Sequence, residues 1–513
     1  MTGSGAAMHT FSVHAACIRG VEAQPVTVEV SFTGGIPGIT LVGMADAAVN
    51  EAPARIRCAL RGSGYDVPRK SIIVSLAPAD MRKTGSGLDL AISISILALS
   101  GQIPIEGLDS CLFVGELSLD GYVMPVRGEV AYAMLARDCG LRLVSAHGDY
   151  PVGLPGVDMY CLRNLSSLRA GLASALDAVD APAILSGTVG SSLDYADVKG
   201  QELAKRALAI AATGGLGLMM VGPPGSGKTM LAERMGTILP PIDEVELQEA
   251  LCIHSVAGES VESLLASGRP FRCPHHSISA AGLVGGGRPV RPGEISLAHG
   301  GVLFLDELAE FPSSVLQLLR QPLESKAVRI VRADGAYVFP AHFQLLVASN
   351  PCPCGYLGDR DVSCACPPYA VARYQAKLAG PLADRIDMRI DVARPDPDLL
   401  LEGGAGASSS SLRSEVEQGM AFATWRLQRG IAVGGIDMRA IDGAQGVAGA
   451  YALDSAGYET LLAIAQRGHL TGRGIVRLCR IARTIADMQE SREVGPSHVF
   501  EASMFRGRCS DAE

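Results

Sequence analysis

The sequence predicts an α/β protein in three parts: an N-terminal α/β domain, a central three-layer αβα domain, and a C-terminal helical lid. Three observations predict this. Val26–Phe32 and Ser71–Ser75 alternate apolar and polar residues as strands do. A glycine-rich run, Gly222 to Thr229, stands between a short apolar strand, Leu218–Val221, and a helix-like segment, Met230–Met235. After a serine-rich joint the remaining patterns, Leu412–Arg429 and Gly474–Gln489, are helical.

At 513 residues the chain is too long for one core, and the length prior gives about three domains. With 48% hydrophobic and 19% charged residues it is globular rather than disordered. The N-terminal domain is expected over 1–180. Within it Asp46–Ser63 reads as a helix, with Pro53 either kinking it or marking its first turn, and a second helix follows Gly87 and runs to Ser100. Residues 181–192 are small, polar and proline-containing, and read as a linker. The central domain spans 193–395, with a helix over Gln201–Ala212. The lid takes 396–513, entered through a flexible joint at Gly403–Ser411.

Gly222, Pro223, Pro224, Gly225, Ser226, Gly227, Lys228 and Thr229 spell G-x-x-x-x-G-K-[ST], a loop whose backbone N–H groups close around phosphates. The helix that follows, from Met230, adds positive partial charge at its N-terminus. Lys228 is expected to neutralise the β- and γ-phosphates of ATP, and Thr229 to hold Mg²⁺. About 75 residues later the apolar strand Gly301–Leu305 ends in Asp306-Glu307. Asp306 is expected to hold Mg²⁺ through water and Glu307 to polarise the attacking water, which together describe an ATPase.

Thirteen cysteines in a chain read as cytoplasmic argue against a disulfide framework. Nine are scattered and read as small core hydrophobes. Cys352, Cys354, Cys364 and Cys366 form C-x-C-x₉-C-x-C, two close thiol pairs suited to a structural tetrahedral zinc site, with reduced thiols or a redox pair as the other readings. No run of 18 uncharged apolar residues exists, so no membrane span is expected. No secretory signal is read at the N-terminus, and Met1–Ala7 reads as an extension before a start at Met8. Net charge is −9, which gives no overall pull on nucleic acid but leaves room for a local basic surface.

The motif order resembles the AAA+ ATPases in the magnesium-chelatase branch, and within it the YifB/ComM family. The carrying segments are Ala77–Asp80, Phe113–Gly121, Asp197–Gln201, Cys273–Ser277, Asn350–Gly355 and Gly380–Asp387. The resemblance implies that Val198 and Gly200 cover the adenine and that Asn350 orients the lytic water. It further implies that Arg385 is an arginine finger and that Arg473 is a lid arginine facing the nucleotide. For Arg385 the plain reading is an ion pair with Asp384 or Asp387; for Arg473, Arg477 and Arg480 are rivals. A finger supplied in trans makes hydrolysis depend on assembly, most simply a homohexameric ring.

Phe113–Gly128 also resembles the proteolytic domain of Lon proteases, a ribosomal S5 domain 2-like fold. Gly87 falls at the serine position and Val130 at the lysine position, so the domain is expected to be inactive even if Ser86 supplies a hydroxyl. Between the two ATPase motifs lies an insertion rich in Gly, Pro, Arg and His, including His275 and His276. Beyond it, Ala327–Arg332 and Ala336–Phe339 flank an Asp-Gly turn and predict a β-hairpin. Arg288, Arg291, Arg329 and Arg332 are the DNA-contact candidates; solvated or subunit-facing arginines are the plain reading. The resemblance implies a DNA motor that promotes branch migration of incoming DNA during natural transformation. The alternative is a chelatase-type or protein-remodelling ATPase; a chelatase subunit is expected to resemble only the central domain.

Overall fold

Alternate side chains of the first two strands fill one face, Val13, Ala15 and Cys17 on Thr10–Arg19 and Val26, Val28 and Val30 on Glu22–Thr33, while Ala16 and Ala23 are buried in a different cluster. The two strands pair antiparallel with Val13 opposite Val28, so both apolar rows face one side. A computed structural model of the chain describes residues 10–146, 156–179, 193–380, 382–396, 398, 406–431 and 446–506. The linker expected at 181–192, the Met1–Ala7 extension and residues 403–405 of the joint lie outside the described residues.

The N-terminal sheet has eight strands in the order Asp177–Ala178, Met159–Cys161, Arg142–Ser145, Cys111–Phe113, Thr10–Arg19, Glu22–Thr33, Ser71–Ala77, Gly38–Val42. Helices Ala52–Gly62 and Asp89–Leu99 close its apolar face with Ile56, Leu60, Ile92 and Ile96. The helical stretch expected over 46–63 is divided into Ala47–Asn50 and Ala52–Gly62, and of the two roles open to Pro53 it takes the first turn. Pro53 sits in the first turn of the second, where its missing N–H costs nothing.

The central sheet has five parallel strands in the order Phe271–Arg272, Val302–Leu305, Gln344–Ser349, Leu218–Val221, Met388–Asp391. Its inner strands are buried and largely apolar because both faces are covered, with Gln344 and Ser349 as polar ends of one of them. Leu218 and Met220 join a core with helix Glu202–Gly214 and the lid, while Met219 and Val221 join Leu303, Leu305 and Phe311 on the other side. Helix Glu244–Ala257 packs Leu247 and Leu251 against Val130 and Ala133 of Glu129–Cys139, fastening the central part to the N-terminal part.

The lid is built from Ser409–Gln428, Ser455–Arg467, Gly472–Met488 and Pro496–Met504. The serine run expected as a flexible joint is partly helical. Ser408 caps the helix by accepting the Ser411 N–H, and Ser409–Ser411 form its first turn. The scattered cysteines also need correction: Cys17, Cys111, Cys161, Cys252 and Cys479 are buried, but Cys58, Cys139 and Cys273 are exposed. All described cysteines are free thiols.

Within the lid, Asp487 accepts from Arg426 at 2.9 and 3.0 Å and from Arg483 at 3.2 Å, and all three side chains are at most 5% exposed. Burial pulls the Arg483 guanidinium down to about 10, against the attraction of Asp487. Removing this one carboxylate strands two buried cations. Asp487→Ala should therefore lower stability in urea unfolding by about 3–5 kcal/mol. Removing the exposed Glu417 from its i,i+4 pair with half-buried Arg413 should cost no more than about 0.5 kcal/mol.

Candidate functional site

Parallel strands end at the same edge, and their register decides which loops meet there. Val221 lies beside Ser349, and Leu305 beside Val347, so the chains leaving at Gly222, Asp306 and Asn350 emerge as neighbours. Gly225 and Gly227 have φ of 77° and 86°, a left-handed conformation open to glycine. Gly222 is a glycine for another reason: a Cβ there would lie 2.1 Å from the Val392 carbonyl oxygen.

Lys228 opens the helix Lys228–Glu233 and folds back over the loop. Its Nζ donates to the carbonyls of Gly222 at 2.8 Å and Pro223 at 2.9 Å, and stands 3.5 Å from Asn350 Oδ1. The side chain is only 8% exposed, and burial lowers the pKa of its ammonium below the usual lysine value, opposed by Asp306 and Glu307. The Thr229 hydroxyl donates to Asp306 Oδ2 at 2.9 Å. A hydroxyl and a carboxylate so placed suit Mg²⁺, which takes oxygen ligands and keeps several waters. Ser226 is buried, whereas Pro224, Gly225, Thr229 and Met230 stay exposed, so one face of the loop is open to a ligand.

Glu307 departs from ordinary backbone geometry, with φ of 52°. Its N–H donates to Asp306 Oδ1 at 2.9 Å, while its own side chain is more than half exposed. His276 Nδ1 lies 3.7 Å from that carboxylate, and its ring stacks 4.0 Å from the ring of His275. His276 of the insertion thus faces the group expected to polarise water, while His275 Nδ1 is 2.7 Å from the Ser277 hydroxyl.

Val198 is buried, and Gly200 takes φ of 65°. Gln201, which the sequence reading passed over, also sits left-handed, at φ 61°. Its amide donates to the carbonyls of Ser226 and Ala393, tying the Val198–Gly200 segment to the phosphate loop. Nothing in residue type marked Gln201, which stands in the sequence as the last residue of the segment Asp197–Gln201 and the first of the helical pattern Gln201–Ala212.

The structure brings Lys228, Thr229, Asp306, Glu307 and Asn350 together. Arg385 instead pairs with Glu324 at 2.7 and 3.0 Å. The expected neighbours are taken elsewhere, Asp384 by Arg477 at 3.7 Å and Asp387 by Arg480 at 2.7 Å, because the lid helix Gly472–Met488 reaches them first. Arg473 stands exposed in the first turn of that helix, while its rivals Arg477 and Arg480 are engaged against 383–387.

The four clustered cysteines converge. Their sulfurs lie within 4.8 Å of one another, with Cys352–Cys354, Cys354–Cys364 and Cys352–Cys364 at 3.4, 3.5 and 3.6 Å. Thiolates at about 2.3 Å from a tetrahedral zinc would stand about 3.8 Å apart, so the donor set fits zinc in kind and in spacing. Backbone N–H groups of Cys354 and Cys366 point at sulfurs of the cluster.

Gly285-Gly286 and Arg291-Pro292 form a short hairpin, and Ala327–Arg332 pairs with Gly335–Pro340 as a longer one, as the Asp-Gly turn predicted. Arg288, Arg291, Arg329 and Arg332 are all exposed, and a methyl on Gly286 would sit 3.4 Å from the Arg332 guanidinium, so the hairpins adjoin. In the N-terminal part, Val130 is buried and Ser86 donates to Glu116 at 2.5 Å. Lys83 is turned to the Pro78 carbonyl. The hydroxyl is bonded to an acid rather than to a basic amine.

Three family models match the chain: magnesium chelatase subunit ChlI over 194–399, subunit ChlI of Mg-chelatase over 28–147, and the ChlI C-terminal region over 406–506. Models named for ChlI thus match outside the central part as well, whereas a magnesium-chelatase 67 kDa subunit of Chlorobaculum parvum is 30% identical over 165 residues, 31% of this chain. An uncharacterized protein of Mycobacterium tuberculosis is 38% identical over 95% of this chain and 97% of its own. Uncharacterized protein YifB of Escherichia coli is 38% identical over 96% of each chain. Competence protein ComM of Haemophilus influenzae is 37% identical over 96% of this chain and 97% of its own.

Two substitutions should separate binding from hydrolysis. Lys228→Ala should lose nucleotide binding, read by a fluorescent ATP analogue. Glu307→Gln should keep it while hydrolysis, read as phosphate release, falls by at least about 100-fold.

Proposed function

The chain belongs to the magnesium-chelatase-like YifB/ComM family of AAA+ proteins, and from that premise we propose that it is a ring ATPase that drives work on DNA. The observation that carries the reading is the meeting of Lys228, Thr229, Asp306, Glu307 and Asn350 at one sheet edge, in a chain that also exposes four arginines on two adjoining hairpins. Lys228 and the loop N–H groups hold the triphosphate, Thr229 and Asp306 hold Mg²⁺, and Glu307 polarises the attacking water beside Asn350.

Arg385 completes the pocket of a neighbouring protomer by leaving Glu324, an exposed partner whose pairing costs little to break. A guanidinium supplied there is worth about 10³–10⁵ in rate, so hydrolysis follows assembly, most simply of six copies. Arg473 faces the nucleotide from the lid. Arg288, Arg291, Arg329 and Arg332 contact DNA phosphates. The activity is branch migration of incoming DNA during natural transformation, in keeping with the name of the Haemophilus relative. Cys352, Cys354, Cys364 and Cys366 hold a structural zinc, which supplies order to the 352–366 loop rather than chemistry.

The match to ChlI models keeps a protein-directed ATPase as the second reading. A forked DNA with ATP separates the two. Strand displacement that disappears in Lys228→Ala supports the motor, and hydrolysis indifferent to any DNA supports the second reading. In the first case Arg329→Ala with Arg332→Ala should weaken DNA binding across sequences and reduce the slope of log K against log salt by about one unit per arginine.

A further inference from the structure

The cysteine loop and the phosphate loop touch, and three groups make the contact. Gly355, next to Cys354, approaches Pro224 so closely that a Cβ would lie 2.6 Å from the proline ring. Arg394 donates its Nε–H to the Pro224 carbonyl at 3.3 Å. The same guanidinium lies 5.3 Å from the centre of the Tyr356 ring and forms an ion pair with Asp359 at 3.5 Å. Asp359 is itself fixed, since its carboxylate accepts the N–H groups of Asp361 and Val362 at 2.9 Å each, with the side chain only 3% exposed.

Tyr356 and Asp359 lie between the two cysteine pairs, on the stretch that four sulfurs gathered at one point would close into a ring. That stretch has little else to hold it: Leu357, Gly358, Arg360, Asp361 and Val362 are exposed. At the other end, Arg394 follows the strand Met388–Asp391, and the preceding Val392 N–H donates to the Val221 carbonyl at 2.7 Å, just before the phosphate loop begins. Arg394 therefore stands three residues beyond the sheet, with its guanidinium between the two loops.

We infer that Arg394 is a positioning residue that couples the four-thiol loop to the phosphate loop, so that a metal held by Cys352, Cys354, Cys364 and Cys366 strengthens the grip on nucleotide. This rests on the zinc reading above. The physical route is short. A metal orders the stretch between the pairs, as metal binding does where few other contacts fix a segment. Ordered Tyr356 and Asp359 hold the guanidinium in place. The guanidinium holds the Pro224 carbonyl, one residue before the left-handed Gly225, and so keeps the loop's N–H groups in the arrangement a triphosphate needs. Outer partners of a metal site commonly matter in this way. Without the metal, Asp359 and Tyr356 move with their loop, and Pro224 loses a charged donor.

The test uses the full chain, zinc content by atomic emission, and the dissociation constant of a fluorescent ADP analogue, with a cooperative thermal transition required of every variant. The wild type should carry about one zinc per chain. Stripping it with a chelator should weaken the analogue about tenfold, the scale of losing one charged hydrogen bond. Arg394→Ala should keep its zinc, bind the analogue about tenfold more weakly, and lose nothing further on stripping. Asp359→Asn should behave as a milder version and answers the question if Arg394→Ala fails to fold. Unchanged affinity after stripping the wild type, or full affinity in Arg394→Ala, overturns the coupling while leaving the zinc site. A chain that neither carries nor takes up zinc overturns the zinc reading and the coupling with it.

Discussion

Parallel strands in one sheet must all finish at the same edge, and the rest of this site depends on that constraint. Three strands, Leu218–Val221, Val302–Leu305 and Gln344–Ser349, are adjacent in the sheet and matched in register. Their following residues are a glycine, an aspartate and an asparagine, and they can only arrive together. The apolar content of the strands builds the core, and by building it fixes a phosphate loop, an acidic pair and an amide within reach of one another. The 2.9 Å contact between Thr229 and Asp306 is the outcome, made by residues 77 positions apart.

A loop at a sheet edge has no packing of its own, and this one is braced from outside. Gln201 reaches in from the segment before helix Glu202–Gly214, Gly222 packs against the Val392 carbonyl, and Arg394 holds Pro224 from the segment that follows strand Met388–Asp391. The hairpin that carries Arg329 and Arg332 is braced in a similar way. Arg19, at the turn between the first two strands, donates to the Asp334 carbonyl at 3.3 Å and lies 5.8 Å from the Tyr337 ring centre. In the N-terminal part itself, the Ser86 hydroxyl is bonded to Glu116 and Val130 is buried.

Much of this was legible in the residues because the signals were local. A glycine pattern between strand and helix, an apolar run ending in two acids, an Asp-Gly turn between alternating segments and two close thiol pairs each carry their physics within about 15 residues. What was not legible depends on partners distant in the chain. Gln201 and Arg394 are ordinary by type and matter only through whom they reach. The pairing of Arg385 with Glu324, rather than with the adjacent aspartates, is decided by the lid helix claiming those aspartates first. The serine run at 408–411 was misjudged because the residues that make a flexible joint also make good helix caps.

The central claim is that each pocket is completed by the next protomer, and mixing inactive subunits tests it most directly. Chains with Lys228→Ala keep the arginine but lose the pocket, and chains with Arg385→Ala keep the pocket but lose the arginine. Each alone should be inactive. Mixed in equal amounts under assembling conditions, they should regain ATP hydrolysis, because some pockets then meet an intact neighbour. No recovery in mixtures shown to co-assemble would contradict the account.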